Sequence, residues 1–145
     1  LIALIQRTSG ATLCIAGDET ARIGPGLVAL IGVVKSDTEA NARRLAERVR
    51  TYRVFPDADG RMNRSLADTG GGLLLVPNFT LAADTDKGTR AGFSTGAPPE
   101  AAEQLFNQLV HHARAAHGEV QCGVFGAHMQ ITLTNDGPVT FWLEG

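Results

Sequence analysis

At Lys35 the spacing of apolar residues changes, and that change limits the architectures open to the chain. Before it, Leu1–Arg7, Ala11–Ala16, Glu19–Ile23 and Leu27–Val34 are short apolar or alternating segments, with Gly17-Asp18 and Gly24-Pro25-Gly26 between them. Glycine tolerates positive φ and proline presets a turn angle, so this stretch predicts short strands joined by tight turns. Beyond it, Ala42, Leu45, Ala46, Val49 and Tyr52 recur at three- and four-residue steps. That is one buried stripe of a helix, with Asp37 or Ser36 as its cap.

The remainder repeats the alternation. Pro56-Asp57-Ala58-Asp59-Gly60 and Thr69-Gly70-Gly71-Gly72 are turn clusters, and the second leads into the apolar strand Leu73–Val76. A second helix is predicted to start near Pro98-Pro99-Glu100, with Ala102, Leu105, Phe106, Leu109, Val110 and Ala113 inward. Strands return at Glu119–Gly123, Met129–Thr134 and Val139–Leu143, with Asn135-Asp136-Gly137-Pro138 as the break between the last two. The order is four strands, helix, strand, helix, three strands. It predicts an α/β fold: strand-rich sheets or a barrel-like core with the two main helices on one side. A doubly wound dinucleotide fold is disfavoured, because no GxGxxG follows the first strand. With 145 residues, one domain over 1–145 is expected.

Composition excludes several function classes. Hydrophobic residues make up 43% and charged residues 19% of the chain, enough to bury a core at this size. Leu27–Ile31, continued past Gly32 by Val33 and Val34, falls far short of the roughly 20 apolar residues a membrane crossing needs. Leu1–Ile5 is followed at once by Arg7 without a basic leader, so no signal peptide is expected and a cytoplasmic location is. Cys14 and Cys122 have no CxxC spacing and read as buried small hydrophobes. The net charge of −2 argues against coating nucleic acid by bulk electrostatics, though not against local RNA contacts. The arginines gathered between Arg43 and Arg64 read either as a solvated face or as a phosphate-contacting patch.

A search for side-chain catalysis returns little. His111, His112, His117 and His128 form neither HExxH nor a pairing with the cysteines, and no GxSxG occurs. The aspartate-glycine segment lacks the EF-hand glutamate, and the glycine triplet lacks the P-loop lysine. No metal or cofactor is implied. Thr80 follows an apolar strand and precedes a polar loop, a common place for a site residue, but no base is placed beside it in sequence. Asn135-Asp136-Gly137-Pro138 reads locally as a turn, with nothing nearby that requires a cis bond.

Taken together, Ile2-Ala3-Leu4-Ile5-Gln6-Arg7, Ile23-Gly24-Pro25-Gly26-Leu27, Lys87-Gly88-Thr89-Arg90, Phe125-Gly126-Ala127, Met129-Gln130 and Asn135–Trp142 resemble the D-aminoacyl-tRNA deacylase family over essentially the whole chain. One family motif, asparagine-x-glycine-proline-valine-threonine, is complete as Asn135–Thr140. The other, serine-glutamine-phenylalanine-threonine, keeps Phe79 and Thr80 but has Pro77 for serine and Asn78 for glutamine.

The resemblance implies hydrolysis of the ester between a D-amino acid and the terminal adenosine of tRNA, with L-aminoacyl-tRNA rejected and glycyl-tRNA an additional substrate. It further implies a homodimer in which a cis Gly137-Pro138 pair enters the partner's pocket. There the pair's carbonyls exclude an L side chain from the α-carbon. The backbone N–H groups of Phe79 and Thr80 would stabilise the developing oxyanion. The tRNA's own 2′-hydroxyl would assist, so no protein nucleophile is required. Asn78, Met129 and Phe125 are implied to line the adenosine and aminoacyl pocket, and Arg7 to brace the glycine-proline loop. Two alternatives stay open on the residues themselves: a Thr80-dependent esterase of small molecules, and a noncatalytic tRNA-binding module silenced by the Pro77 and Asn78 changes.

Overall fold

The computed structural model describes residues 1–145. Its elements run β1 (Ile2–Ile15), β2 (Asp18–Ile23), β3 (Gly26–Gly32), α1 (Glu39–Thr51), β4 (Arg53–Pro56), β5 (Met62–Ser65), α2 (Leu66–Thr69), β6 (Gly72–Pro77), the 3₁₀ turn η1 (Phe79–Ala82), α3 (Pro99–Ala116), β7 (Val120–Cys122) and β8 (Met129–Glu144). The main sheet runs β2-β1-β3-β6-β7, with β8 added along the other side of β1, while β4 and β5 form a separate hairpin.

Strand alternation explains why this sheet has two buried faces. Leu27, Ala29 and Ile31 of β3, with Leu73 and Leu75 of β6, face Ala42, Leu45 and Val49 of α1 and Phe106, Leu109 and Ala113 of α3 in one cluster of 22 buried residues. The intervening Val28, Leu74 and Val76 face the other way, against Leu13 of β1 and Ala21 and Ile23 of β2. The far halves of β1, β2 and β8 therefore fold over the sheet as the barrel-like part of the core. Both main helices lie on one side, as the apolar spacing predicted.

Three local expectations are corrected. The predicted strands Leu1–Arg7 and Ala11–Ala16 are one strand, β1, whose ladder with β8 shifts register around Thr8. There the Thr8 hydroxyl donates to the Gly10 carbonyl at 2.7 Å and accepts from the Gly10 amide at 3.0 Å, closing the irregularity locally. The cap of α1 is Thr38, whose amide donates to Asn41 Oδ1 at 2.8 Å. Asp37 instead accepts from the Val34 amide at 2.7 Å. Finally, Asn135–Pro138 does not divide two strands. Thr8 pairs with Asn135 and Gln6 with Thr140, so Asp136 to Val139 stand opposite Arg7 alone as a bulge within β8. The expected turn at Pro56–Gly60 joins β4 to β5, where Asp57 accepts from the Arg61 amide and the Asn63 side chain. The short α2 before the Thr69–Gly72 turn was not expected, and Ser65 caps it by accepting from the Asp68 amide.

Candidate functional site

A cavity of about 800 Å³ opens between the ends of β3 and β6, the start of α3 and the first half of β8. Most of its lining is apolar, including Leu30, Val76, Phe106, Phe125, Met129 and Leu133, and its polar groups include Gln6, Asn78 and His128. This is the composition of a small-molecule site: an apolar body with a few polar groups to orient the guest.

The lip at Asn78 follows from the parallel ladder. Pro77 ends β6 opposite Ile31, and the Asn78 amide donates to the Ile31 carbonyl at 2.7 Å, which fixes where η1 begins. Asn78 caps that turn: its Oδ1 accepts from the Thr80 amide at 3.2 Å and from the Thr80 hydroxyl. Leu81 donates to the Asn78 carbonyl at 3.3 Å. The Phe79 N–H alone in this first turn has no protein acceptor. Of the two amides expected to act as donors, Phe79's is therefore open, whereas Thr80's is occupied by Asn78. The Thr80 hydroxyl is likewise engaged with Asn78.

Two lining residues, Pro77 and Met129, pack closely against Gly123. A Cβ there would lie 2.7 Å from Met129 Sδ, 3.1 Å from Leu13 Cδ1 and 3.2 Å from Pro77 Cδ. Only glycine lets the thioether and the proline ring approach in this way.

The cavity thus brings together Asn78, Phe79, Phe125 and Met129. Arg7, Gly137 and Pro138 do not line it. They form a second constellation on the surface, where Gly137 and Pro138 are exposed in the β8 bulge. The Gly137-Pro138 peptide is cis, as the resemblance implied and the local reading did not, and Gly137 has φ of 144°. Arg7 Nε donates to the Asp136 carbonyl at 2.9 Å and Nη1 to the Val54 carbonyl at 2.7 Å. The bulge is closed by Asn135, which accepts from the Val139 amide at 2.8 Å and donates to the Thr140 hydroxyl at 2.8 Å.

Sequence reasoning did not single out Phe93, Gln6 or His128 as site residues. Phe93 carries a detectable signal, a lone aromatic in the polar stretch Gly92-Phe93-Ser94, whereas Gln6 reaches the cavity only through strand pairing. No group of three or more His, Cys, Asp or Glu side chains is placed to hold a metal ion. Cys14 and Cys122 are free and half-buried, not fully buried as expected. No helix is long and apolar enough to cross a membrane.

The family model described as D-Tyr-tRNA(Tyr) deacylase matches residues 4–144. A protein of Xanthomonas oryzae pv. oryzae named D-aminoacyl-tRNA deacylase is 60% identical over 145 residues, covering 99% of this chain and 99% of that protein. One of the same name from Thioalkalivibrio sulfidiphilus is 58% identical over 144 residues, covering 99% and 97% respectively. Among solved structures, a c-Myc DNA unwinding element binding protein matches with a TM-score of 0.95 at 32% identity, covering 100% of this chain and 99% of that one. A probable eukaryotic D-amino acid tRNA deacylase matches with a TM-score of 0.88, covering 99% of this chain and 98% of that one, and its 16% identity speaks to the fold alone.

Proposed function

Because this chain belongs to the D-Tyr-tRNA(Tyr) deacylase family, we propose that it hydrolyses the ester linking a D-amino acid to the terminal adenosine of tRNA. The observation that carries this reading is the apolar cavity lined in part by Phe79, whose amide has no protein acceptor, in a chain matched to the family from residue 4 to 144. An amide aimed at a reacting carbonyl supplies electrostatic stabilisation as negative charge develops. The Thr80 amide joins it when Asn78 Oδ1 gives way to the substrate oxygen.

The chiral filter in this reading is assembled from two copies. Gly137 and Pro138 of one protomer enter the partner's cavity, and their carbonyl oxygens wall off the space an L side chain needs. A D side chain points away from that wall, and glycine has nothing to clash, so glycyl-tRNA is a further substrate. The exposed position of the pair, outside its own chain's cavity, supports delivery to a neighbour. Arg7 is the brace, anchoring the bulge to Val54. Met129 and Phe125 shape the pocket for the adenosine and aminoacyl groups. Attack is assisted by the ribose 2′-hydroxyl, consistent with a Thr80 hydroxyl already spent on Asn78. A tRNA substrate supports a location where translation occurs, in the cytoplasm.

The test is release of free amino acid from D- and L-aminoacyl-tRNA carrying the same side chain. Cleavage of the D form with the L form spared is the expected result. Equal cleavage of both removes the filter, and tRNA binding without any cleavage of several D-aminoacyl-tRNAs favours a noncatalytic module.

A further inference from the structure

At the mouth of the cavity two phenylalanine rings are exposed on the single chain. Phe79 is 67% exposed and Phe93 54% exposed, with ring centroids 5.3 Å apart and planes inclined at 56°. Single exposed apolar residues are ordinary, but a pair at the rim of a site marks a surface meant to be covered. The tilt makes a notch instead of a closed stack, which keeps ring surface available to a third group.

The segment bearing Phe93 is tied down on both sides. Asp84 and Gly92 exchange backbone hydrogen bonds at 2.8 and 2.9 Å, Ala97 donates to the Val33 carbonyl at 3.0 Å, and the Thr95 hydroxyl donates to the Ala82 carbonyl. Phe93 therefore projects from an anchored rim. The hairpin that the Asp84–Gly92 tie closes, next in sequence to Phe93, exposes Lys87 and Arg90 together with Asp84 and Asp86, and neither cation pairs with a carboxylate. Of the two acids, Asp84 has its Oδ1 engaged by the Asp86 amide at 2.9 Å.

Aromatic faces beside uncommitted cations are what hold single-stranded nucleic acid: rings stack on bases and cations follow the phosphates. A protein partner fits less well, since the centres of protein interfaces are depleted in the lysine and aspartate that the adjoining hairpin exposes. Resting on the reading that the cavity takes the terminal adenosine, we infer that Phe93, with the Phe79 ring as a side wall, stacks on the nucleobase immediately before that adenosine. Lys87 and Arg90 then contact the phosphates of the same single-stranded end. The base is read by its face, so this subsite accepts any tRNA.

A coupling experiment tests this. D-aminoacylated stem-loop RNAs ending in the natural tail, or in a tail abasic at the penultimate position, are hydrolysed by the wild type and by Phe93→Ala. Either change alone is expected to lower kcat/KM by about 10-fold, within the range for one base–aromatic stack, and both together by no more than either one. Phe93→Trp restores the rate and Phe93→Leu does not. Losses that multiply, or no loss with either change, overturn the assignment. So does a change in oligomeric state of Phe93→Ala by light scattering, which gives the ring to a subunit contact. If the wild type fails to cleave the intact RNA, the deacylase reading itself is wrong. The stacking inference then stands or falls on binding of the uncharged RNAs by fluorescence anisotropy, where the abasic tail must weaken the wild type and leave Phe93→Ala unchanged.

Discussion

Arg7 holds the carbonyl of Asp136 at 2.9 Å across a sequence separation of 129 residues, directly before the Gly137-Pro138 pair. Its second bond, to the Val54 carbonyl at 2.7 Å, makes one guanidinium the strut between the β8 bulge and the β4–β5 hairpin. A guanidinium can do this because its donors diverge in one rigid plane.

Arg7→Lys is therefore not a conservative change. A single ammonium on a flexible stem cannot reproduce both bonds, and each hydrogen bond from a charged donor contributes about 1.5–3 kcal/mol. With the bulge loosened, cleavage of L-aminoacyl-tRNA relative to the D form is expected to rise about 10-fold or more in Arg7→Lys and Arg7→Ala, a shift of roughly 1.4 kcal/mol in discrimination. Paired kcat/KM measurements on the two enantiomers check it. An unchanged ratio removes the strut from the chiral filter.

Gly137→Ala probes the bulge from inside. A Cβ there would lie 2.6 Å from Val139 Cγ2 and 2.7 Å from the Val139 nitrogen, at a φ of 144° that side chains rarely adopt. The expected cost is about 1–3 kcal/mol of backbone strain, read as a lowered melting temperature with unchanged far-UV circular dichroism, because Gly137 itself is exposed and only Val139 of this bulge packs against the core. Discrimination between D and L substrates should fall along with it.

Thr80→Val separates RNA-assisted chemistry from a side-chain nucleophile. The Thr80 hydroxyl donates to Asn78 Oδ1, so its loss is expected to change kcat by no more than about 5-fold, the scale of one ordinary hydrogen bond. Replacing the terminal 2′-hydroxyl of a 3′-linked substrate with hydrogen should slow turnover far more. A folded Thr80→Val protein without activity on intact substrate would assign the nucleophile to Thr80.

Acid should loosen α2 before the core. The Ser65 amide, at 2.8 Å, and the Ser65 hydroxyl, at 3.0 Å, donate to Asp68 Oδ2. Together they hold its carboxyl below the usual carboxylate range, with Arg64 and Arg53 adding to the effect. A carboxyl whose pKa is lowered by folding adds stability that is present above its unfolded value and is lost as pH falls through the lowered one. Asp68→Asn removes that dependence. Melting curves of the two proteins should differ most near neutral pH and converge in strong acid. A constant gap down to strong acid would show that the carboxylate form is not what caps this turn.

Much of the architecture was legible in the chain because it rests on short-range patterning. The stripe from Ala42 to Val49, the one from Ala102 to Ala113, and the apolar Leu73–Val76 each declare their element through spacing alone, since helix and strand periods differ. The retained Phe79 likewise lies in the lining of the cavity, and the motif Asn135–Thr140 holds the cis Gly137-Pro138 bond. Which positions break a strand was decided by pairing. β1 runs through Thr8 to Gly10 and β8 through Asp136 to Val139 because each lies along the other, and a ladder absorbs extra residues as a bulge where its neighbours on both sides keep register. The chemistry of the lip was decided in the same way: Asn78 occupies the Thr80 amide only because Ile31, from another strand, fixes where the turn begins. Local sequence specifies what a segment prefers to be. It carries no record of which distant segment will lie against it, and the cavity, its rim and the strut at Arg7 all depend on such contacts.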